Sequence, residues 1–426
     1  MIAQQFFKFD TSQVHQLKDN LGHFDGFDTI VNYSTVKSAG PAASPLEFPT
    51  PTVGKGCRMT ARALDHRTGR IHNLNNILIC IGPDEPDKAY LIQKRIAKSV
   101  YGAVRQCVVL KRRRKGEGGC GTLSDEDDRE VKWISTDRLV AVKISSWHRI
   151  TKLRGRHLED PIREISAMQL VGNYHQNLIG VIEVLQDGEY LYTVMPFCPG
   201  GDLFGKVMSE KSHRVDEGRA RVWFRQLISG LFHLQRKGVC HRDISLDNIM
   251  LDDSENLVLV DFGISLRIPY TDPSNTGCVT DISEGSERRL ITAQGQGGNL
   301  MYMAPEVVAR DDDFDGFALD LWAAGVVLFT ILVGMAPFKW AHSSDQRYAQ
   351  IAKGNMEKLL EVHNIVLSKE ASSLLQKMFL RDPRKRLTLG QIMKHPWFLG
   401  RKFSGRKKVS PTSSPIRHKE RGVDTM

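Results

Sequence analysis

The feature that most constrains this chain is the 24-residue stretch from Cys240 to Gly263, CHRDISLDNIMLDDSENLVLVDFG. It carries His241-Arg242-Asp243, then Asn248 five places after the aspartate, then Asp261-Phe262-Gly263. Two short apolar runs, Ile249–Leu251 and Leu257–Val260, flank the polar turn Asp252-Asp253-Ser254-Glu255-Asn256. That pattern predicts strand, tight turn, strand, with Asn248 and Asp261 brought together at the open end of the hairpin. A carboxamide and a carboxylate side by side are hard oxygen donors suited to Mg²⁺. A second carboxylate, Asp243, is placed to orient a hydroxyl and accept its proton. Those are the requirements of phosphoryl transfer.

The order H-R-D-x-x-x-x-N followed by D-F-G resembles the eukaryotic protein kinase family, and the rest of the chain follows the same order of motifs. Leu139-Val140-Ala141-Val142-Lys143 is similar to the family's V-A-I-K strand, and Asp160-Pro161-Ile162-Arg163-Glu164 opens the next helix. A lysine on a buried strand must be paired or serve a ligand. Farther on stand Ala304-Pro305-Glu306, Asp320-Leu321-Trp322 with Gly325, and Arg386 of RDPRKRLT. The closing Lys394-His395-Pro396-Trp397-Phe398 resembles calmodulin-dependent-type kinases of the serine/threonine branch.

The resemblance implies an α+β, two-lobed fold: a small antiparallel β-sheet lobe with one main helix, and a large, mainly helical lobe. It implies a serine/threonine kinase acting on protein hydroxyls, with ATP and Mg²⁺. Asp243 would be the proton acceptor, Asn248 and Asp261 the metal ligands, and Lys143, fixed by Glu164, the phosphate anchor. Val104, Ala141 and Met250 would surround adenine, with Met195 at the back, Cys198 in the connection between lobes and Asp202 near the ribose. Ala97, Ser99 and Gly102 would cover the phosphates. Glu306 is expected to pair with Arg386, and Asp320 to tether the catalytic loop.

Three departures bear on activity. The phosphate-covering loop, G-x-G-x-x-G-x-V in the family, reads Ala97-Lys98-Ser99-Val100-Tyr101-Gly102-Ala103-Val104, so only the third glycine stands. Losing the other two stiffens the loop and is expected to weaken ATP binding. Ser245 stands where these kinases carry lysine, and Asn299 where they carry threonine. These departures favour the alternative reading, a pseudokinase acting as a binding scaffold. The intact Lys143, Glu164, Asp243, Asn248 and Asp261 favour the enzyme.

The motifs place the domain at 88–398, with a small lobe at 88–195, a charged insertion at about 111–132 and a large lobe at 199–398. Residues 1–87, polar and with the Pro/Ala/Ser-rich piece Gly40–Val53, are expected to be a mostly disordered extension; Ile77–Ile81 is the one apolar run in it that suggests a strand. From Asp261 to Glu306 the expected activation segment runs 46 residues, long for a loop, and holds Thr271, Ser274, Thr276, Thr280, Ser283, Ser286 and Thr292. Phosphorylation there by an upstream kinase, with Arg242 as the phosphate's partner, is expected to activate.

Net charge is +10, but residues 399–426 hold eight Lys/Arg against Glu420 and Asp424, so the tail supplies six of those charges. The domain itself is close to balanced, which argues against nucleic-acid binding. The tail, with Ser410-Pro411, Ser414-Pro415 and Arg406-Lys407-Lys408, reads as disordered, the basic cluster suiting nuclear import. Seven cysteines without a C-x-x-C pair, and no signal-peptide pattern, point to a reducing, cytoplasmic setting. Leu321–Phe338 has 18 residues without a charge, yet its glycines and Pro337 make it a buried core helix and not a membrane span. A monomer is expected.

Overall fold

The first strands form because apolar and polar residues alternate along them. In β3 (Lys88–Lys98) and β4 (Gly102–Arg112) one face supplies Tyr90, Cys107 and Val109 to the interior. The structure is a computed structural model describing residues 42–114 and 131–402, except 273, 284, 296 and 310–312. Before β3 lie β1 (Gly54–Leu64) and β2 (Ile71–Ile81), paired antiparallel from Lys55↔Ile81 to Leu64↔Ile71. After β4 come β5 (Trp133–Ser146), β6 (Glu183–Gln186) and β7 (Tyr190–Pro196). These seven strands close into a barrel in the order β1-β2-β3-β4-β5-β7-β6, with β1 meeting β6 at Gly54↔Leu185.

The expected extension at 1–87 is thereby corrected: residues 54–81 are part of the small lobe. Their signal is faint because β1 (GKGCRMTARAL) faces water with much of its length, and the Asn73 and Asn75-Asn76 positions interrupt the apolar run of β2. Ile77 and Leu78 are nonetheless fully buried. The boundary of the insertion also moves, since Lys111 and Arg112 pair with Ile134 and Trp133. The readings made for residues 1–41, for 115–130 and for the tail from 403 onward lie outside the described residues.

Two helices belong to this lobe, α1 (Trp147–Leu153) and α2 (Pro161–Val171). Proline at the first turn and Asp160, whose carboxylate accepts from the Ile162 and Arg163 amides, start α2. Its inner face buries Glu164, Ile165 and Met168.

The large lobe is mainly helical. It holds α3 (Leu203–Ser209), α4 (Glu217–Arg236), α5 (Pro305–Val308), α6 (Gly316–Val333), α7 (Gln346–Ala352), α8 (Met356–Val362), α9 (Lys369–Met378), α10 (Leu389–Lys394) and α11 (Pro396–Leu399). Helix α6 is the axis of the lobe: every residue in it is buried, Asp315 caps its first turn, and Gly334 at φ +83° ends it. It is the one described helix long and apolar enough to cross a membrane, but its surroundings are the protein core. Trp322 packs on Phe338 and Phe379, with ring centroids 5.8 and 5.1 Å away. Each such buried apolar side chain contributes about 1.5–3 kcal/mol.

The large lobe also carries short strands: β8 (Val239–Cys240), β9 (Ile249–Leu251), β10 (Leu257–Leu259), β11 (Leu266–Arg267), β12 (Tyr270–Asp272), β13 (Asn275–Thr280), β14 (Glu287–Arg288), β15 (Ile291–Thr292) and β16 (Asp313–Phe314). The segment expected to be a long loop therefore has structure. β12 pairs with both β13 and β14, and β15 pairs with β16.

Candidate active site

The expected hairpin forms. Leu251↔Leu257 and Ile249↔Leu259 are in register, and the Val260 amide donates to the Asn248 carbonyl at 2.9 Å. Asn248 and Asp261 thus stand one residue apart across the open end. Asp243 enters from the loop after β8. Two backbone conformations that L residues rarely adopt, φ +69° at Arg242 and φ +67° at Asp261, set this loop and the next. Buried Asp320 holds the first of them: its two carboxylate oxygens accept from the His241 and Arg242 amides, both at 2.8 Å. Burial pushes the Asp320 carboxyl up, to about 7, against the pull of those two donors.

His241 ties the two loops together. Its Nδ1 lies 3.3 Å from the Asp243 amide and its Nε2 3.1 Å from the Val260 carbonyl, which fits a neutral ring that accepts at one nitrogen and donates at the other. Burial keeps it neutral by lowering its pKa to about 4. The ring also packs on Phe262, centroids 4.9 Å apart.

Within the loop, Asn248 Nδ2 donates to the Asp243 carboxylate at 2.8 Å and to its carbonyl at 2.9 Å. Burial, then the negative charge of Asp261, pushes the Asp243 carboxyl up to about 6. A carboxylate with that pKa is poised to take a proton near neutrality. Ser245, in the lysine's place, is buried, and its hydroxyl accepts from the Asn248 amide at 3.3 Å.

The expected ion pair is made: Lys143 Nζ lies 2.6 Å from Glu164 Oε2, with the Glu164 side chain buried and that of Lys143 only 11% exposed. Burial works against charge on Lys143, but the carboxylates of Glu164 and Asp261 outweigh it and raise its pKa. The lysine thus stays cationic in a low-dielectric site, where a phosphate oxygen gains most from it.

Strand register aligns part of the expected adenine side. Ala141 pairs with Met195 and Val104 with Lys143, so these residues fall in one band across β4, β5 and β7. Met250 of β9 bridges Asp202. The Asp202 carboxylate also caps α3, accepting from the Gly205 amide at 2.7 Å. Cys198 is half-buried, and burial pushes its thiol up to about 12.

The phosphate-covering loop is a tight hairpin. Ala97 pairs with Val104, and the Gly102 amide donates to the Ser99 hydroxyl at 3.0 Å. The retained glycine has a steric reason independent of any ligand: a Cβ on Gly102 would overlap the Ile144 carbonyl oxygen of β5. Sequence reasoning missed Tyr101 at the tip. It turns inward to 2% exposure, and its hydroxyl donates to the Glu159 carbonyl at 2.7 Å, just ahead of α2. An aromatic residue inside a polar turn was the available signal.

On the substrate side, Gly298 at φ +86° lies against Asp243, so close that a Cβ there would come within 2.7 Å of its Oδ1. The neighbouring Asn299 amide hydrogen-bonds the Asp243 carboxylate, and the Asn299 side chain accepts from the Met301 amide at 3.1 Å. Arg242, expected to serve a phosphate, donates to the Gly295 carbonyl at 3.0 Å and lies over the Phe314 ring. Of the seven expected phosphorylation sites, Thr271 and Ser286 are buried, while Ser274 and Ser283 are exposed. Behind the segment, Glu306 and Arg386 form a buried two-point pair at 2.9 and 2.9 Å, as expected.

Mg²⁺ fits these residues. With its amide nitrogen committed to Asp243, Asn248 offers its oxygen, and Asp261 offers the carboxylate oxygen that does not bond the Gly263 amide. Among the described residues no three His, Cys, Asp or Glu gather as a metal cage. Mg²⁺ needs none, being held by one or two protein oxygens together with substrate phosphates and water.

Comparison with known proteins agrees with this geometry. A family model described as "Protein kinase domain" matches residues 111–398. Arabidopsis thaliana serine/threonine-protein kinase SRK2F is 33% identical over 233 residues, covering 53% of this chain and 59% of that protein. CBL-interacting serine/threonine-protein kinase 15 of the same plant is 33% identical, covering 63% of this chain and 56% of that protein. Serine/threonine-protein kinase SAPK2 of Oryza sativa subsp. indica is 32% identical, covering 63% and 71%. The chain spans 59% and 56% of the length of the two Arabidopsis relatives. The chain belongs to the protein kinase family, among its serine/threonine members.

Proposed function

We propose that this protein transfers the γ-phosphoryl group of ATP to serine or threonine hydroxyls of protein substrates. The observation that carries the reading is the assembly of Asp243, hydrogen-bonded to Asn248, beside Asp261 and the Lys143–Glu164 pair. Asp243 orients the incoming hydroxyl and receives its proton. Lys143, held by Glu164, binds the nucleotide's phosphates, while Asn248 and Asp261 hold Mg²⁺. The ion supplies positive charge to the phosphate oxygens as the γ-phosphoryl group moves. Ala141, Val104, Met195 and Met250 form the apolar slot for adenine, and Cys198 and Asp202 lie at its mouth.

An upstream kinase would find Ser274 and Ser283 exposed, and a phosphate would have to displace the Gly295 carbonyl to reach Arg242. The seven cysteines without a C-x-x-C pair support a reducing, cytoplasmic setting, the basic tail suits nuclear import, and the working form proposed is a monomer.

The test is incubation of the purified chain and an Asp243→Asn variant with Mg²⁺, labelled ATP and generic peptides, followed by phosphoamino-acid analysis. Label on serine or threonine, absent with the variant, is expected. Measurable ATP binding with no transfer by either protein would overturn the reading and return the scaffold in its place.

A further inference from the structure

Residues 42–53 cross the molecule from the large lobe to the start of β1, touching on the way three elements that carry the site. Pro45, Pro49 and Pro51 keep this strap extended and remove donors, so it makes isolated bridges and no continuous ladder. At its start, the Ala43 amide donates to the Leu290 carbonyl at 3.0 Å and the Thr292 amide donates to the Ala43 carbonyl at 3.1 Å, a parallel bridge to β15. Next, the Leu46 amide donates to the Arg267 carbonyl of β11 at 3.1 Å, and the Arg267 guanidinium donates to the Glu47 carbonyl at 2.5 Å. At its end, Thr52 and Gln169 of α2 exchange two hydrogen bonds, amide to Oε1 and Nε2 to carbonyl, both 2.8 Å. Phe48 and Val53 pack on the main core between these points.

Each anchor leads to a group of the active site. β11 pairs with β8 at Leu266↔Cys240, the residue before His241. β15 pairs with β16 at Ile291↔Phe314, the ring beneath the Arg242 guanidinium. Gln169 lies five residues beyond Glu164 on the same helix, so the pair of bonds to Thr52 fixes how far α2 stands from the strap.

We propose that the strap 42–53 is a positioning element for phosphoryl transfer, and that Gln169 is its positioning residue on α2. Through Thr52 and Gln169 it sets the helix that presents Glu164 to Lys143. Through Leu46 and Ala43 it sets the strands that flank the catalytic loop. The inference rests on the kinase reading above.

The test uses the full chain in three forms: wild type, Gln169→Ala, and a variant with residues 43–48 replaced by a glycine–serine linker of equal length. Two readouts are taken, steady-state peptide phosphorylation resolved into kcat and KM for ATP, and hydrogen exchange at the amides of α2 and β15. Gln169→Ala is expected to speed exchange in α2 and to lower kcat/KM for ATP about tenfold, the scale of one or two such bonds. The linker variant is expected to speed exchange in both α2 and β15 and to lower kcat. Unchanged exchange in both variants overturns the proposal. So does faster exchange with kcat and KM for ATP as in the wild type, because the strap would then be packing and nothing more. A wild type that binds ATP without transferring phosphate sinks the kinase reading instead, and exchange in α2 still decides whether the strap holds the helix.

Discussion

Replacing Asp320 by asparagine should separate stability from catalysis. Both carboxylate oxygens of Asp320 accept backbone N–H groups at 2.8 Å, and one of those groups belongs to Arg242 at φ +69°. Asparagine keeps one acceptor and sets an NH₂ against the second donor. The lost charge-assisted bond costs about 1.5–3 kcal/mol. Two effects return part of it: a buried carboxyl no longer has to be kept ionised, and a backbone conformation that stores about 1–3 kcal/mol is free to relax. The net cost is therefore about 1 kcal/mol, a fall in Tm of a few degrees for a domain this large. Asp243 sits one residue beyond Arg242, and a displacement near 1 Å is worth about 100-fold in rate. ATP affinity should hold, since Lys143–Glu164 and the adenine slot are untouched. Calorimetry, ATP titration and steady-state peptide phosphorylation together make the assay. A kcat within threefold of wild type, or ATP affinity falling in step with kcat, would refute the reasoning.

The raised Asp243 carboxyl predicts opposite pH trends for rate and stability. Its pKa near 6 makes kcat rise as pH climbs through that value. Asp243 and Asp320 both bind protons more tightly folded than unfolded, so their contribution to stability is complete below about pH 4. It is lost as pH rises through about 6 and 7. Kinetics across pH 5–8, with urea titrations at the two ends, check both trends. Gly102→Ala should destabilise by about 2 kcal/mol or more, because the added carbon has only the Ile144 backbone to push against; thermal denaturation reads it. Glu306→Gln, which strands the buried Arg386 guanidinium, should cost about 3–5 kcal/mol in urea unfolding. Lys206→Ala, which breaks an exposed pair with Glu255, should cost under about 1 kcal/mol.

The catalytic groups were legible in the sequence because their chemistry and their spacing coincide. Asn248 and Asp261 come together through a hairpin whose two apolar runs and polar turn can be counted off directly. Lys143 and Glu164 follow from a buried cation that needs a partner. Residues 54–76 were missed, though Ile77–Ile81 suggested a strand, for a physical reason: β1 gains its place by completing a ring of strands, and little of that requirement shows in a half-exposed, arginine- and threonine-bearing segment. The strap was hidden by its prolines, which read as loop whether or not the loop is docked. Arg242 was read for its charge alone, and only the fold shows a carbonyl and an aromatic ring beside it. The activation segment was called a loop because strands of two or three residues are too short to leave a periodic pattern.

Closure of the small lobe has a consequence for recognition. A sheet with two ends presents rows of unpaired amides and carbonyls to which another chain can add a strand. Here β1 meets β6 at Gly54↔Leu185 and β2 meets β3 at Ile77↔Leu91, so the ring consumes its own ends. Where those joins are made, a partner approaching this lobe must read side chains, such as the Arg58 guanidinium over Tyr190 or the Arg67–Asp137 pair, because the backbone there is already paired. Specificity on that face is written in residue identity and charge, and single surface substitutions should rewrite it.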